Sequence, residues 1–146
     1  MRKALVVAQG ARTSGDVPVG AIIINKSGEI IATGHNEREL HQDPTAHAEI
    51  VAIRRATEIV GQWRLEDHTL IVTLEPCAMC AGAIAQSRIS KVIFGAWDEK
   101  AGAVGSLWDL LRDPRSLFKV EVHAGVLADE CSGILKEFIQ GVRRRD

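Results

Sequence analysis

Two short motifs in the chain carry side chains that bind metals and move protons. The first, His47–Glu49 (His-Ala-Glu), sets an imidazole two residues before a carboxylate, and the second, Pro76–Cys80 (Pro-Cys-Ala-Met-Cys), sets two thiols three residues apart. Side chains three residues apart lie on one face of a helix, close enough to hold one ion. Zinc accepts thiolate sulfur and imidazole nitrogen as ligands. The motifs therefore predict a bound Zn²⁺ with His47, Cys77 and Cys80 as its ligands.

A zinc ion with three protein ligands keeps one tetrahedral position open, which is typical of catalytic rather than structural sites. A water molecule in that position has its pKa lowered towards ~7. Glu49 follows His47 by two residues, and on a helix such residues point about 200° apart. We therefore expect Glu49 not to bind the metal. Its predicted role is catalytic: it takes the proton of the water and delivers it to the substrate nitrogen and to the leaving group.

Both motifs lie at the start of a predicted helix, where the helix dipole favours the thiolate form of cysteine. Thr45 is the predicted N-cap of the first of these helices. Hydrophobic periodicity and turn residues predict helices over 2–14, 46–60, 77–87 and 128–143, a helical turn over 106–111, and strands over 20–25, 29–34, 69–74, 91–95 and 119–123. Strands that alternate with helices imply crossover connections. The expected fold is therefore a three-layer α/β/α domain on a mixed five-stranded sheet.

Composition restricts the possible classes of protein. With 146 residues the chain is the size of one domain, taken as 1–146, and its net charge of −1 excludes nucleic-acid binding through bulk positive charge alone. A local basic patch remains compatible with that charge. No apolar run approaches the roughly 18 residues of a membrane span, so no membrane association is expected. An odd number of cysteines, three, favours a reduced, cytoplasmic chain over a disulfide scaffold.

Each motif alone is weak evidence. A Cys-x-x-Cys pair also occurs in redox sites and in structural zinc knuckles, and a histidine and a glutamate near a helix start are often only a cap and a solvated charge. Together, in this order, they match the signature of zinc nucleobase deaminases. A non-catalytic zinc-stabilised binding module is the alternative of another class. It requires a fourth protein ligand, such as Cys131 or another histidine.

Beyond these motifs, the chain resembles the bacterial tRNA-specific adenosine deaminases, the TadA family, from about residue 2 to 140. The resembling segments are Gly15–Ala21, Asp43–Ile50, Leu74–Ile84, Gly102–Leu107 and Gly125–Cys131. The resemblance implies a cytidine deaminase-like fold, a homodimer with one zinc per subunit, and no organic cofactor. It implies hydrolytic conversion of adenosine to inosine at the wobble position of a tRNA anticodon, expected in an arginine tRNA with an ACG anticodon. A deaminase of a free base or nucleoside (guanine, cytosine or cytidine) is the alternative function.

The resemblance also implies substrate contacts: Asn36 beside the flipped base, Val19 in the pocket wall, and Asp98 near the neighbouring anticodon nucleotides. By residue type alone, Asn36 is a turn former, Val19 a core residue and Asp98 a solvated charge. Trp97 departs from the family pattern, since an arginine is common there, and 115–119 lacks a common asparagine–histidine pair. Cys131 is expected to be a buried thiol, and Arg143–Arg145 a solvated end that could also contact phosphate. Glu75 is expected either to orient the site or to cap a helix.

Overall fold

The computed structural model describes residues 1–145, which fold around one sheet. Its helices are α1 (Arg2–Ala8), α2 (Arg38–His41), α3 (Ala48–Val60), α4 (Ala78–Gln86) and α5 (Ala128–Arg143), and a 3₁₀ helix (Gln9–Ser14) extends α1. Its strands are β1 (Gly20–Ile24), β2 (Ile30–His35), β3 (Thr69–Leu74), β4 (Lys91–Ala96) and β5 (Glu121–His123).

The sheet is mixed, as predicted, with the strand order β2-β1-β3-β4-β5 in the described part of the chain. Strand β1 pairs antiparallel with β2 and β3, whereas β3, β4 and β5 run parallel. Parallel strands need a crossover, and α4 supplies the one between β3 and β4. The carboxyl ends of β3 and β4 therefore meet at one edge of the sheet, beside the start of α4.

Alternate residues of the strands pack against opposite helical layers. Ile23, Val72 and Phe94 point into the main core, which includes the alanines of α3 and the apolar residues of α4. Ile22 and Ile71 pack on the other face against Ala4 of α1. This alternation produces the predicted three-layer α/β/α fold, because each face of the sheet is covered by helices.

Two glycines allow helices to approach the β1–β2 hairpin from both sides. A Cβ on Gly34 would lie 2.6 Å from the Ala48 carbonyl oxygen of α3, and one on Gly20 would contact the Ala4 carbonyl oxygen of α1. Only glycine permits such an approach without displacing a helix. Helix α3 is thereby held against β2, which fixes the position of its first turn.

Several predicted boundaries differ from the structure for physical reasons. The helix predicted over 2–14 is α-helical only to Ala8 and then continues as the 3₁₀ helix. Helix α2 was not predicted. The helical turn predicted over 106–111 is wrong: this segment forms turns and an isolated bridge between Val104 and Asp109. The N–H groups of Leu107 and Trp108 donate to the Gly102 carbonyl oxygen, and Gly105 adopts φ +131, so the segment closes on itself rather than forming helical hydrogen bonds.

Among residues 1–145, no helix combines the length and the apolar character needed to cross a membrane.

Candidate functional site

The two motifs meet at the edge of the sheet where α3 and α4 begin. His47 immediately precedes α3, Cys77 immediately precedes α4, and Cys80 lies in the first turn of α4. The Nδ1 atom of His47 is 3.6 Å from the Sγ atom of Cys77 and 3.6 Å from that of Cys80. All ligand atoms of this group lie within 4.8 Å of one another.

These distances fit the geometry of a zinc site. Tetrahedral zinc with ordinary Zn–S and Zn–N bond lengths separates a sulfur from a nitrogen ligand by about 3.5 Å. Among the described residues, the group of possible metal ligands contains His47, Cys77 and Cys80, and Glu49 does not belong to it. Cys131 does not join it either, since its side chain is buried against Gly95. The binding-module alternative therefore lacks the fourth ligand that it requires within residues 1–145.

Asn36 sets the start of α3, a role that Thr45 was predicted to have. The Oδ1 atom of Asn36 accepts a hydrogen bond from the Ala48 N–H at 2.9 Å, and its Nδ2 atom donates to the Val17 carbonyl oxygen at 3.0 Å. The helix begins at Ala48, with His47 in extended conformation at the N-cap position, so the Thr45 prediction is wrong. Thr45 is instead tied to Asp43, whose Oδ1 accepts from its N–H and hydroxyl. Asn36 therefore supplies the missing cap from a neighbouring strand end.

The protein lowers the pKa of one thiol and raises that of the other. A hydrogen bond from the Cys80 thiol, aided by His47, lowers the pKa of Cys77 to about 4. The same bond, together with burial, raises the pKa of Cys80 far above its usual range. The hydrogen bond with Cys77 also raises the pKa of His47. Without metal, protons therefore remain on Cys80 and are favoured on His47, while Cys77 is a thiolate. Because zinc binds thiolate and neutral imidazole, metal binding releases these protons.

Glu49 lies in the first turn of α3 with 4% of its surface exposed. Burial raises the pKa of its carboxyl group to about 7, against the opposing effects of a backbone hydrogen bond and of His47. A carboxyl group with a pKa near neutrality suits both accepting and donating a proton. Its position beside the ligand group, but outside it, agrees with the predicted role in proton transfer.

A cleft of about 180 Å³ opens onto the ligand group. Its lining combines apolar walls with polar groups and consists of Val17, Val19, Asn36, Arg38, His47, Glu49, Leu74, Glu75, Cys77, Asp98 and Ala101. The predicted substrate contacts Val19, Asn36 and Asp98 are thus brought together around one cavity. Small-molecule sites have this character, with a few polar groups set in apolar walls.

The structure adds Arg38 to the residues of the cleft, and it also places Glu75 there, a residue for which the sequence left a role at the site and a helix cap as alternatives. Arg38 belongs to the unpredicted helix α2, so the sequence pattern gave no signal for it. Glu75 directly precedes the cysteine motif, which was a signal for a role near the site. Trp97, beside Asp98, is about half exposed and packs edge-to-face on Phe94 with ring centroids 5.0 Å apart.

Known proteins are similar to this chain in sequence and in fold. Residues 1–96 match the family described as the cytidine and deoxycytidylate deaminase zinc-binding region. The tRNA-specific adenosine deaminase of Bacillus subtilis is 48% identical over 99% of this chain and 89% of its own length. A solved structure from studies of A-to-I editing by tRNA:A34 deaminases at the wobble position of transfer RNA shares 42% identity, with a TM-score of 0.88 over 92% of this chain and 97% of that one. A guanine deaminase from Nitrosomonas europaea has 25% identity and a TM-score of 0.77, over 94% of this chain and 81% of that one.

The ligand group at two helix starts and the mixed sheet define a class, the zinc-binding deaminases of the cytidine and deoxycytidylate type. Within that class, the chain belongs to the family of tRNA-specific adenosine deaminases.

Proposed function

We propose that this protein hydrolyses adenosine to inosine at the wobble position of a tRNA anticodon. The observation that carries the proposal is the cleft, in which a buried glutamate lies beside a ligand group suited to zinc. The family relationship specifies the substrate, because the Bacillus subtilis and Haemophilus influenzae relatives are both tRNA-specific adenosine deaminases. In the reaction the bond from C6 to the amino nitrogen breaks, and an oxygen from water bonds to C6. The products are inosine and ammonia.

His47, Cys77 and Cys80 are the proposed ligands of one zinc ion per subunit. Zinc in such a site supplies Lewis acidity that makes water reactive near neutral pH. Glu49 is the proposed catalytic proton carrier. Its carboxylate accepts one proton from water and delivers it to the ring nitrogen of the base. It then takes the second proton from the oxygen that has bonded to C6 and gives it to the departing amino group. Its burial in the first turn of α3 keeps bulk water away from these transfers.

Asn36, Val19 and Asp98 are the proposed substrate contacts. An amide side chain has two N–H donors and two lone pairs on its oxygen. Asn36 uses one N–H for Val17 and one lone pair for Ala48, which leaves one of each for a base in the cleft. Val19 is 4% exposed and supplies an apolar wall. We assign Asp98 to the nucleotides beside the target base.

An anticodon loop suits a cleft of this kind. Its bases are unpaired, so turning one out costs less than extruding a base from a duplex. A net charge of −1 is compatible with recognition of a presented loop through the shape of the cleft. The expected substrate is an arginine tRNA with an ACG anticodon. Incubation of that tRNA with zinc-loaded protein, followed by sequencing of the product, should reveal inosine at the wobble position, and unchanged adenosine would contradict the proposal.

Deamination of a free base, with guanine as the first candidate, is the alternative. The fold shared with the guanine deaminase of Nitrosomonas europaea favours including it. A panel of free guanine, cytosine, cytidine and adenosine, assayed beside the tRNA, separates the two functions. We expect turnover of the tRNA that is abolished by ribonuclease, and ribonuclease-resistant release of ammonia from a free base would favour the alternative.

We also propose that residues 1–146 act as a single deaminase domain and assemble as a cytoplasmic homodimer. Large apolar side chains are exposed near the start of α4, namely Met79, Leu107, Trp108 and Leu110. Hydrogen bonding from Ala103 to Pro76 holds the loop that carries the last three next to α4. Exposed apolar groups of this size mark interaction surfaces. The free cysteines among residues 1–145 suit a reducing compartment.

A further inference from the structure

Glu75 is a buried carboxylate between the turn that carries Cys77 and the loop that carries Asp98. We propose that Glu75 is a positioning residue for the reaction, which fixes the Asp98 side of the cleft relative to the ligand group. The inference relies on the proposed function for the identity of the substrate. It does not make Glu75 a proton carrier, because its oxygen atoms are already occupied by the protein.

The hydrogen bonds of the Glu75 side chain all come from one loop in the described chain. Its Oε1 atom accepts from the Asp98 N–H at 3.0 Å, and its Oε2 atom accepts from the N–H groups of Val104 and Ser106, each at 3.0 Å. The Ser106 hydroxyl donates to Oε1 as well. A carboxylate offers about four lone-pair sites in total. The loop over 98–106 therefore uses the whole hydrogen-bonding capacity of the side chain, which is 2% exposed.

The same loop is closely packed around the carboxylate and joined to the cysteine turn. A Cβ on Gly102 would contact the Glu75 carboxylate and the Asp98 carbonyl oxygen, so glycine is required for this approach. The Ala103 N–H donates to the Pro76 carbonyl oxygen at 2.8 Å. The turn over 75–77 thus positions two parts of the cleft. It carries Cys77 directly, and through Glu75 it holds the part of the cleft wall formed by Asp98 and Ala101.

Substitution of Glu75 by glutamine disturbs the contact with Asp98 selectively. The amide keeps one oxygen, which can still accept from the N–H groups of Val104 and Ser106. Its NH₂ group can face the Ser106 hydroxyl, because a hydroxyl both donates and accepts. The Asp98 N–H then faces an amide nitrogen and loses its acceptor. Glu75→Gln therefore loosens the Asp98 end of the loop while most of the network remains.

The test is the steady-state kinetics of zinc-loaded protein on an anticodon stem-loop. We expect Glu75→Gln to raise KM about tenfold, since one hydrogen bond of ordinary strength corresponds to about a factor of ten in an equilibrium constant. We expect kcat to stay within about threefold of wild type, and the zinc content to be unchanged, because Glu49 and the ligand group are not altered. Ser87→Ala is the matched control: it removes a buried hydroxyl bonded to the Ile84 carbonyl oxygen at the far end of α4, and KM should not change.

A double-mutant cycle distinguishes positioning from general stabilisation. If Glu75 acts by placing Asp98, Glu75→Gln has little further effect on KM in a protein that already carries Asp98→Ala. The inference would be overturned if the increases in KM from the two substitutions multiply in the double mutant. An unchanged KM in Glu75→Gln would also overturn it, as would loss of zinc from that variant. So would an equal rise of KM in Ser87→Ala.

Two further outcomes are covered: Glu75→Gln fails to fold, or the wild type does not act on the tRNA. If Glu75→Gln does not fold, Gly102→Ala approaches the same contact from the loop, and an unchanged KM there overturns the inference. If wild type deaminates only a free base, the proposed function fails, and the placement of Asp98 is then tested by hydrogen exchange of its N–H. Glu75→Gln should speed this exchange and Ser87→Ala should not, and unchanged exchange in Glu75→Gln would overturn the inference.

Discussion

Glu49 and Glu75 are both buried beside the ligand group, yet their surroundings differ. The Glu75 carboxylate accepts hydrogen bonds from Asp98, Val104 and Ser106, which leaves it no free site. Burial instead raises the pKa of Glu49 to about 7, and this residue faces the cleft. The two environments therefore favour different roles, and we propose proton transfer for Glu49 and placement of a loop for Glu75.

Glu49→Gln keeps the size and the polarity of the side chain but removes its capacity to carry a proton. We predict that kcat falls by about 10²–10⁴-fold, the usual contribution of a positioned acid–base group. The variant should still bind zinc, because Glu49 is not part of the ligand group. Metal analysis and single-turnover deamination of the same preparation test both statements, and loss of zinc would show that Glu49 is a ligand instead.

Asn36→Ala removes the cap of α3 and one polar wall of the cleft together. We predict a loss of about 1–2 kcal/mol in the free energy of unfolding, because the Ala48 N–H is left buried without its acceptor. We also predict a higher KM for the anticodon stem-loop. Urea unfolding and steady-state kinetics measure the two effects.

Asn25→Ala is the matched control for that substitution. The Oδ1 atom of Asn25 accepts from the N–H groups of Ser27 and Glu29 in the β1–β2 turn, away from the cleft. Asn25→Ala should lower the free energy of unfolding without changing KM. If Asn36→Ala likewise leaves KM unchanged, Asn36 has only the structural role that its residue type suggests.

At the scale of helices and strands, hydrophobic patterns predicted most of the fold. They work where a segment buries one face, as in β3 and α3, because the core imposes the period. They fail where distant residues decide the local structure. Asn36 caps α3 from the end of β2, and Glu75 accepts a hydrogen bond from Ser106, the first residue of the segment that was predicted to be helical. Neither contact leaves a trace in the local sequence of the segment that it shapes.

The site was predictable to a similar extent. His47, Cys77, Cys80 and Glu49 lie in compact motifs whose chemistry constrains the residue types, and the structure brings them together. Arg38 joins the cleft through a short helix without a strong pattern of its own. Its place depends on tertiary contacts, which spacing along the chain does not encode.

Asp16 fastens helix α2 to the end of the 3₁₀ helix, and it makes this attachment sensitive to acid. Burial opposes its charge, but hydrogen bonds from the Ser14 hydroxyl and from the N–H groups of Glu39 and Leu40 hold the pKa of Asp16 below its ordinary value of 3.8. The ionised form therefore stabilises the fold. This contribution is complete above the unfolded-state pKa and is lost as the pH falls through the lower native pKa.

Asp16→Asn should therefore lower the free energy of unfolding by about 1–3 kcal/mol at pH 7, as expected when hydrogen bonds to a charged acceptor are lost. The difference from wild type should shrink below about pH 4. Urea unfolding at pH 7 and at pH 3 measures it. Glu58→Gln, on an exposed position of α3, should show no such difference, and a pH-independent deficit in Asp16→Asn would contradict the argument.

At the scale of the whole molecule, the local character of the surface decides binding partners more than the net charge does. The chain carries almost equal numbers of acidic and basic residues, so shape and local contacts must select the RNA. The exposed apolar residues near α4 are grouped on one loop and the adjoining helix turn. A second copy of the chain is the partner that we propose for them.

Trp108→Glu tests the homodimer. Trp108 is 52% exposed, and a charge in an apolar interface is strongly unfavourable. We predict that wild type sediments with twice the 15.9 kDa mass of the chain and that the variant sediments as a monomer. Trp63→Glu, at a tryptophan of similar exposure beyond the end of α3, should remain dimeric. A monomeric wild type at micromolar concentration would refute the proposed assembly.

The central claim, hydrolytic deamination of a tRNA wobble adenosine, is tested most directly by the fate of an oxygen atom. Zinc-loaded wild type is incubated in ¹⁸O-labelled water with an arginine tRNA bearing an ACG anticodon, and the wobble nucleoside is then analysed by mass spectrometry. We predict inosine that carries one ¹⁸O atom at C6, with one ammonia released per inosine, and formation by Glu49→Gln that is about 10²–10⁴-fold slower. Unchanged adenosine from protein that demonstrably holds zinc would contradict the account.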